Sequence, residues 1–521
     1  MSRRTAVMVG GALLAALVAA VVEGCGGGHG VPSATSTAGK LDQLPAAVTV
    51  ALPAAATGRR VPKGFLGLSF EFQAVRAYTG SDPEHINPVF EQLIGNLSPG
   101  QAPVIRIGGD STDVSYVPTA GVAPPPYVGY ALTPGWLATT GALARRLGAR
   151  MTMGLNLAAN DPALAAAEAR DFIRSLGRHT IQALEIGNEP NIYNRLTHYR
   201  TRSGARVAAR PRSFGYPAYR REFQAIARAA PHLKLAGPAL AAGPVPGKGS
   251  WAQTMPNFLT RDPRVRTMTV HRYPLRNCYV GSASPQYPTV AHLLSSYATA
   301  GLAASLHRWL VIAHRHHRRL RVDELNSVAC RGKAGVSDTF ASALWATDAL
   351  FSLLNAGVDG VNVHTLPRSA YQLFDFRDVA GHWTGAVAPV YYGLQLFSEA
   401  APPGSRLLRL AGLDSATLSV WATRGPDRVD RVVLIDKDLK RPETVRVRPP
   451  AHTTAAATVE RMRAPSVYAR SGVTLGGRTY GTQTTTGRLA PAITDAISPD
   501  ARGDYTVTVP AGSAALLTIR P

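Results

Sequence analysis

The stretch IQALEIGNEPN (181–191) runs apolar from Ile181 to Ile186 and then turns abruptly polar. A short apolar run that stops at a glycine has the length and composition of a buried strand. Glu189, carried to the end of that strand, is either an incidental loop acid or a reactive group aimed by the strand. The rest of the chain bears on the choice. Similar runs recur at GFLGLSFEF (64–72), PVIRIGGD (103–110), RMTMGLNLA (150–158), LKLAGPAL (233–240), RTMTVHRYP (266–274), RLRVDELNS (319–327) and GVDGVNVHT (357–365). Helical patterns separate most of them, among them 133–148, 161–177 and 337–357. The last is read with Ser337 as its N-terminal cap and Gly357 as its stop. Eight strands alternating with helices predict parallel βαβ units closed into an α/β TIM barrel, (β/α)8. A doubly wound open sheet is the rival, but no GxGxxG loop follows the first strand.

From about residue 403 the pattern changes to short alternating runs such as SATLSVWAT (415–423) and DRVVLIDKD (430–438), divided by Pro, Gly and Asp. These predict a C-terminal β-sandwich. The isolated strand pattern AAVTVAL (46–52) is expected to join it. At the other end, Arg3 and Arg4 precede an apolar stretch from Ala6 to Val22, then CGGGHG. That is the layout of an export signal. Cys25 follows a partial lipobox, with Glu23 departing from its usual small or apolar residue, so cleavage, lipidation and a retained anchor all stay open. The expected organisation is a signal or membrane anchor (1–25), a flexible linker (26–44), the sandwich-joining strand (45–57), the catalytic barrel (58–400) and the sandwich (401–521). The chain is expected outside the cytoplasm, extracellular or in the cell envelope, and open to lipid anchoring through Cys25. Cys278 and Cys330 can form one disulfide in such a compartment, the alternative being two buried thiols.

The chain has 521 residues, 45% of them hydrophobic, and a formal charge of +23. Hydrophobic content at that level is enough for a sizeable core. The arginines read as scattered, in the manner of a GC-rich genome, rather than as one basic patch. Nucleic-acid binding would rest on charge alone, without a recognisable module. A solute-binding lipoprotein would need two lobes and a hinge. The run HRHHRR (314–319) reads as a solvated helix end, because no acids or thiols near it in sequence complete a metal site.

Reactive residues of such barrels gather at the C-terminal strand ends. There the strands deliver Glu71; Arg106, Asp110 and Ser111; Asn156; Asn188 and Glu189; His271 and Tyr273; Glu324 and Asn326; and Asn362 and His364. Glu189 and Glu324 stand on the fourth and seventh strands, across the mouth from one another. Paired carboxylates perform glycoside hydrolysis, one as proton donor and the other ionised, with their separation deciding retention or inversion. Arg106 can hold one acid ionised. Asn188 can meet a sugar hydroxyl. The histidines His271 and His364 can equally be hydrogen-bonded core residues, and Tyr371, Tyr391 and Tyr392 read as packing.

These motifs together, FLGLSFEF (65–72), RIGGDST (106–112), EIGNEPN (185–191), VHRYP (270–274), VDELNS (322–327), VSDTFASALWATDALF (336–351) and YYG (391–393), resemble glycoside hydrolase family 79, the β-glucuronidase and heparanase group of the retaining clan A enzymes. The likeness spans roughly 46–521. It implies Glu189 as acid/base, Glu324 as nucleophile, Glu71 and Tyr273 in the sugar site, Tyr273 bonded to the nucleophile, and no metal or organic cofactor. Asp110 departs from the asparagine common in the family. The implied substrate is a carbohydrate, a β-linked glucuronide. An endo-acting hydrolase of acidic polysaccharide, heparanase- or hyaluronidase-like, and a non-catalytic sugar-binding lipoprotein are the alternatives. A glucuronide needs a cation or N–H donors for its carboxylate, and Arg331, Gly332 and Lys333 follow Glu324 closely. A Cys278–Cys330 bridge would hold that loop.

Overall fold

Alternation along each barrel strand decides what the barrel holds. The computed structural model describes residues 47–243, 250–411 and 415–521. The expected export signal, Cys25 and the expected linker lie outside these residues. Eight parallel strands close the barrel: β1 (Leu66–Glu71), β2 (Val104–Gly108), β3 (Arg150–Leu155), β4 (Ile181–Ile186), β5 (Leu235–Ala241), β6 (Val265–His271), β7 (Arg319–Leu325) and β8 (Gly360–Thr365). They pair in chain order, and β8 closes on β1 through Val361↔Leu66 to Thr365↔Phe70. Successive side chains of a strand point to opposite faces. On β1, Leu66, Leu68 and Phe70 enter the apolar core between sheet and helices. Ser69, between them, meets Arg106 of β2 instead. Glu185, Thr269 and Asp323 join that interior. The barrel is therefore lined by polar residues directly below its mouth.

The helices between strands obey capping chemistry. Pro162–Leu176 starts at Asp161, whose carboxylate accepts from the N–H groups of Ala163 and Leu164. Phe340–Ala356 ends at Gly357 in the left-handed conformation, φ +107°. Its N-cap is Thr339, not Ser337. The Ser337 hydroxyl is drawn away to Ser327 and to the Lys333 N–H, 2.9 and 3.1 Å. HRHHRR does end a helix, His307–Arg315. An acid nevertheless stands beside it, Asp359, 2.9 Å from His314 Nε2.

After helix Pro389–Ala400 the chain forms two sheets. Val48–Ala51 pairs in parallel with Glu443–Arg448, which pairs antiparallel with Tyr505–Val509. The larger sheet includes Leu418–Arg424, Asp430–Asp436, Ser513–Ile519 and Ala457–Arg463. Its strand Asp430–Asp436 is apolar on both faces for a physical reason. Val432 and Leu434 fill the core between the two sheets. Val433 and Ile435 pack into the barrel's core. The same junction stacks Trp421 on Phe351 at 5.7 Å and buries a Lys437–Asp348 ion pair at 2.9 Å. Satisfied on both partners by Ser419 and Trp421, that pair ties sandwich to barrel.

Candidate active site

Glu189 follows β4 through a tight turn. Gly187 takes φ +81°, and a Cβ there would lie 2.7 Å from Leu157 Cδ2 and from the Tyr193 hydroxyl. Glu189 itself sits in the left-handed region, φ +52° and ψ +46°, where a non-glycine residue costs about 1–3 kcal/mol. Its N–H is pinned to the Ala239 carbonyl at 2.9 Å. The turn is braced by Asp113, which accepts from the Asn188 N–H at 3.1 Å and from the Tyr193 hydroxyl at 2.5 Å. This strained turn swings the carboxylate back over the barrel.

There it meets His271. The imidazole Nδ1 stands 3.0 Å from Glu189 Oε1 and 3.6 Å from Glu324 Oε2. One nitrogen thus lies between the two carboxylates, and their nearest oxygens are closer than the sum of those distances. Burial works against a charge on His271, but Glu324, Asp323 and the bond to Glu189 carry its pKa up to about 9. It is an imidazolium at neutral pH and donates to Glu189.

Glu324 ends β7 and has the strongest set of donors. Arg106 Nη1 donates to Oε2 at 3.0 Å, and the Tyr273 hydroxyl to Oε1 at 2.7 Å. Burial alone would raise its pKa, but the fields of His364, His271 and Arg106, with the Tyr273 bond, hold it well below the usual carboxylate range. His364 is itself lowered by burial to about 4, so Arg106 and His271 are the standing positive charges at neutral pH. Arg106 is almost wholly buried and also donates to Glu185 (2.7 Å), Asn188 Oδ1 (2.9 Å) and Ser69 (3.2 Å).

Glu71 accepts from the N–H groups of Asp110 (3.1 Å) and Ser111 (2.7 Å) and from the Ser111 hydroxyl. Burial pushes it up to about 7 against those bonds. Its bonds among the described residues run to the Asp110–Ser111 turn and not to Arg106. The Ser111 hydroxyl has one hydrogen, placed between Glu71 and the Gly108 carbonyl, and its oxygen accepts from the Phe72 N–H. Through that hydroxyl and its own N–H, Ser111 positions Glu71 at the mouth of the barrel. Asp110 accepts from Asn188 Nδ2 at 3.1 Å. Its side chain reaches solvent, yet the protein walls of the cleft and the carboxylates of Glu71, Glu189 and Glu324 push its carboxyl up. Asn188 keeps one amide hydrogen beyond these bonds.

Arg331 stands apart from this cluster. It is exposed, and its backbone carbonyl accepts from the Ala370 N–H at 2.9 Å. Its loop is clamped to the one after β6 by paired backbone, Leu275↔Val328 and Arg276↔Ala329, and by the disulfide Cys278–Cys330. Tyr371 was expected to be packing, but its buried ring lies 6.1 Å from that of Tyr273 and 5.9 Å from His364, on the wall of the site. Its position just after β8 is the sequence signal that could have placed it. Tyr391 and Tyr392 do pack in the core.

A (β/α)8 barrel whose strand ends bring two carboxylates to one imidazolium has the architecture of a glycoside hydrolase, and the comparisons agree: the chain is one. Residues 420–516 match the family described as Glycosyl hydrolase family 79 C-terminal beta domain. The chain is 22% identical to the β-glucuronidase of Neurospora crassa over 446 residues, covering 75% of each. Among solved structures it superposes on a 4-O-α-L-rhamnosyl-β-D-glucuronidase from Fusarium oxysporum 12S with a TM-score of 0.69, 19% identity, and coverage of 91% of this chain and 100% of that one. The family 51 arabinofuranosidase of Xanthomonas axonopodis pv. citri follows the same fold, with TM-score 0.62, 16% identity and coverage of 91% and 100%. The match to the family 79 model covers the C-terminal sheet domain, and over the rest of the chain the likeness is to the β-glucuronidase relative and to the barrel fold of these glycosidases.

Proposed function

We propose that this hydrolase cleaves β-linked glucuronides with retention of configuration, Glu189 serving as acid/base and Glu324 as nucleophile. The observation that carries this reading is the single imidazole nitrogen shared by both carboxylates. It limits the gap between their nearest oxygens to less than the sum of 3.0 and 3.6 Å, which accommodates the roughly 5–5.5 Å of retaining enzymes and leaves out most of the roughly 6.5–9.5 Å range that admits a water between them. Glu324, ionised by its surroundings, forms a bond to the anomeric carbon. The glycosidic C–O bond breaks, and its oxygen takes the proton of Glu189. Water then gives a proton to Glu189 and attacks the anomeric carbon, releasing Glu324. The glucuronide part of the reading is supported by the β-glucuronidase relative and by the rhamnosyl-glucuronidase of the same fold. Arg331, exposed on the clamped loop, is the cation we assign to the substrate carboxylate. We also infer export, with the open possibility of a tether at Cys25, from the basic and apolar N-terminus. The disulfide supports it, since such bridges persist in oxidising compartments.

The test is hydrolysis of p-nitrophenyl β-glucuronide beside the matching β-glucoside and β-galactoside, with the released sugar followed by NMR. Release from the glucuronide alone, with the β-anomer formed first, is expected. The α-anomer first would overturn retention, and silence on the glucuronide would overturn the substrate.

A further inference from the structure

Strand β7 carries two acids in succession, Asp323 and Glu324. In a regular strand they would point to opposite faces. The pairing of β7 is not regular there. Against β6, Val270 faces Val322 but His271 faces Glu324; against β8, Val361 faces Val322 but Val363 faces Leu325. One extra residue therefore lies between Val322 and Leu325, which both belong to the apolar core. A bulge of this kind re-aims side chains, and here both acids turn into the barrel. Each reaches Arg106: Glu324 Oε2 lies 3.0 Å from Nη1, and Asp323 Oδ2 lies 3.5 Å from Nε.

The same two acids stand on the two sides of one ring. His271 Nδ1 faces Glu189 and Glu324, while its Nε2 lies 3.6 Å from Asp323 Oδ1. The side chains of His271 and Asp323 are 1% and 2% exposed. Among the described residues, His271 Nε2 and both Asp323 oxygens have no hydrogen-bond partner. An imidazolium donates from both nitrogens, so the acceptor that an Nε2–H faces here is Asp323. A buried donor without an acceptor is costly. The ring is therefore held with Nε2–H towards Asp323, which leaves Nδ1–H on Glu189. Asp323 is fitted for this part by a second acid. Burial and the neighbouring Glu185 push the Asp323 carboxyl up; burial works on Glu185 too, but Arg106 outweighs it and holds Glu185 down. The two acids keep one proton and one negative charge between them, and Asp323 retains a lone pair for His271. We propose that Asp323 is a positioning residue for the acid/base: by accepting from His271 Nε2 it fixes the ring with Nδ1–H on Glu189, and so aims the carboxyl that protonates the leaving group. This rests on the assignment of Glu189 above and extends it to a residue set beneath the reacting groups.

A general acid matters most where the leaving oxygen departs poorly without a proton. Two substrates therefore separate the outcomes: phenyl β-glucuronide, which needs that proton, and 2,4-dinitrophenyl β-glucuronide, which does not. D323A, whose methyl group cannot reach His271, is expected to lower kcat/KM by about tenfold or more on the phenyl glucuronide and by less than about threefold on the dinitrophenyl one. D323N keeps a carbonyl oxygen for Nε2–H and an N–H for Glu185, and should stay within about threefold of wild type on both. Melting temperatures are measured beside wild type. Equal loss on both substrates, as damaged packing would give, overturns the proposal. So does loss on neither, or a D323N protein as impaired as D323A on the phenyl glucuronide. The ring itself supplies a reading that needs no substrate and no change at Asp323. In NMR spectra of wild type with isotope-labelled histidine at neutral pH, the His271 signals, identified by their absence from H271N, should show both ring N–H protons, slow to exchange with water. An Nε2 without its proton overturns the proposal. If wild type cleaves neither glucuronide, the glucuronidase reading fails instead, and that ring signal decides for Asp323. It decides likewise if D323A does not fold.

Discussion

Replacing Arg106 by methionine tests the electrostatic logic of the site most directly. The guanidinium is 1% exposed and lies within 3.0 Å of Glu324 and 2.7 Å of Glu185, with Asp323 at 3.5 Å. Methionine keeps much of the length and removes the charge. Breaking a buried ion pair by deleting one partner costs about 3–5 kcal/mol, because the other charge is left without compensation. At 1.36 kcal/mol per tenfold, that is roughly two to four orders of magnitude in the folding constant. A second consequence follows at Glu324. Its depressed folded-state pKa contributes stability above the unfolded carboxylate value, lost as pH falls towards the folded one. Without Arg106 the depression shrinks, so the acid limb of kcat/KM moves upward in pH. Urea unfolding at neutral pH and a kcat/KM profile from about pH 3 to about pH 8 measure both effects. The double variant R106M/E185Q should recover part of the lost stability, since it removes a charge that Arg106 had been neutralising. An R106M protein within about 1 kcal/mol of wild type, with its acid limb unmoved, would refute the reasoning.

Glu324→Ala should abolish turnover, and external azide should restore it with inverted configuration; rescue with retention would sink the nucleophile assignment. His271 bears a charge because its pKa is raised from 6.5 to about 9. Its ion pairs therefore stabilise the fold fully below the unfolded value and are lost as pH rises through about 9, so kcat/KM should fall there, and His271→Asn should remove that limb from the profile. The Cys278–Cys330 bridge spans 52 residues, for which chain entropy predicts about 4 kcal/mol. Denaturation of C278S/C330S should show that loss, with KM raised more than kcat is lowered, because the bridge holds the rim loop and not Glu324.

Much of this protein was legible in its sequence because barrel strands are local objects. Apolar runs of strand length, each followed by a helical pattern, determine the (β/α)8 order by themselves. Once that order is known, the strand ends name the residues at the mouth, as with Glu189 after β4 and Glu324 at the end of β7. What those residues do to one another depended on distances between positions far apart in the chain. His271 between the two carboxylates joins strands four, six and seven. Arg106 answers Glu185, Asn188 and Glu324 at once. The bond of Ser111 to Glu71, the ring of Tyr371 on the site wall and the charge of His271 are likewise settled by packing. Charge states respond to desolvation and to neighbours within a few ångströms, and only the closed barrel brings those neighbours together and takes their water away.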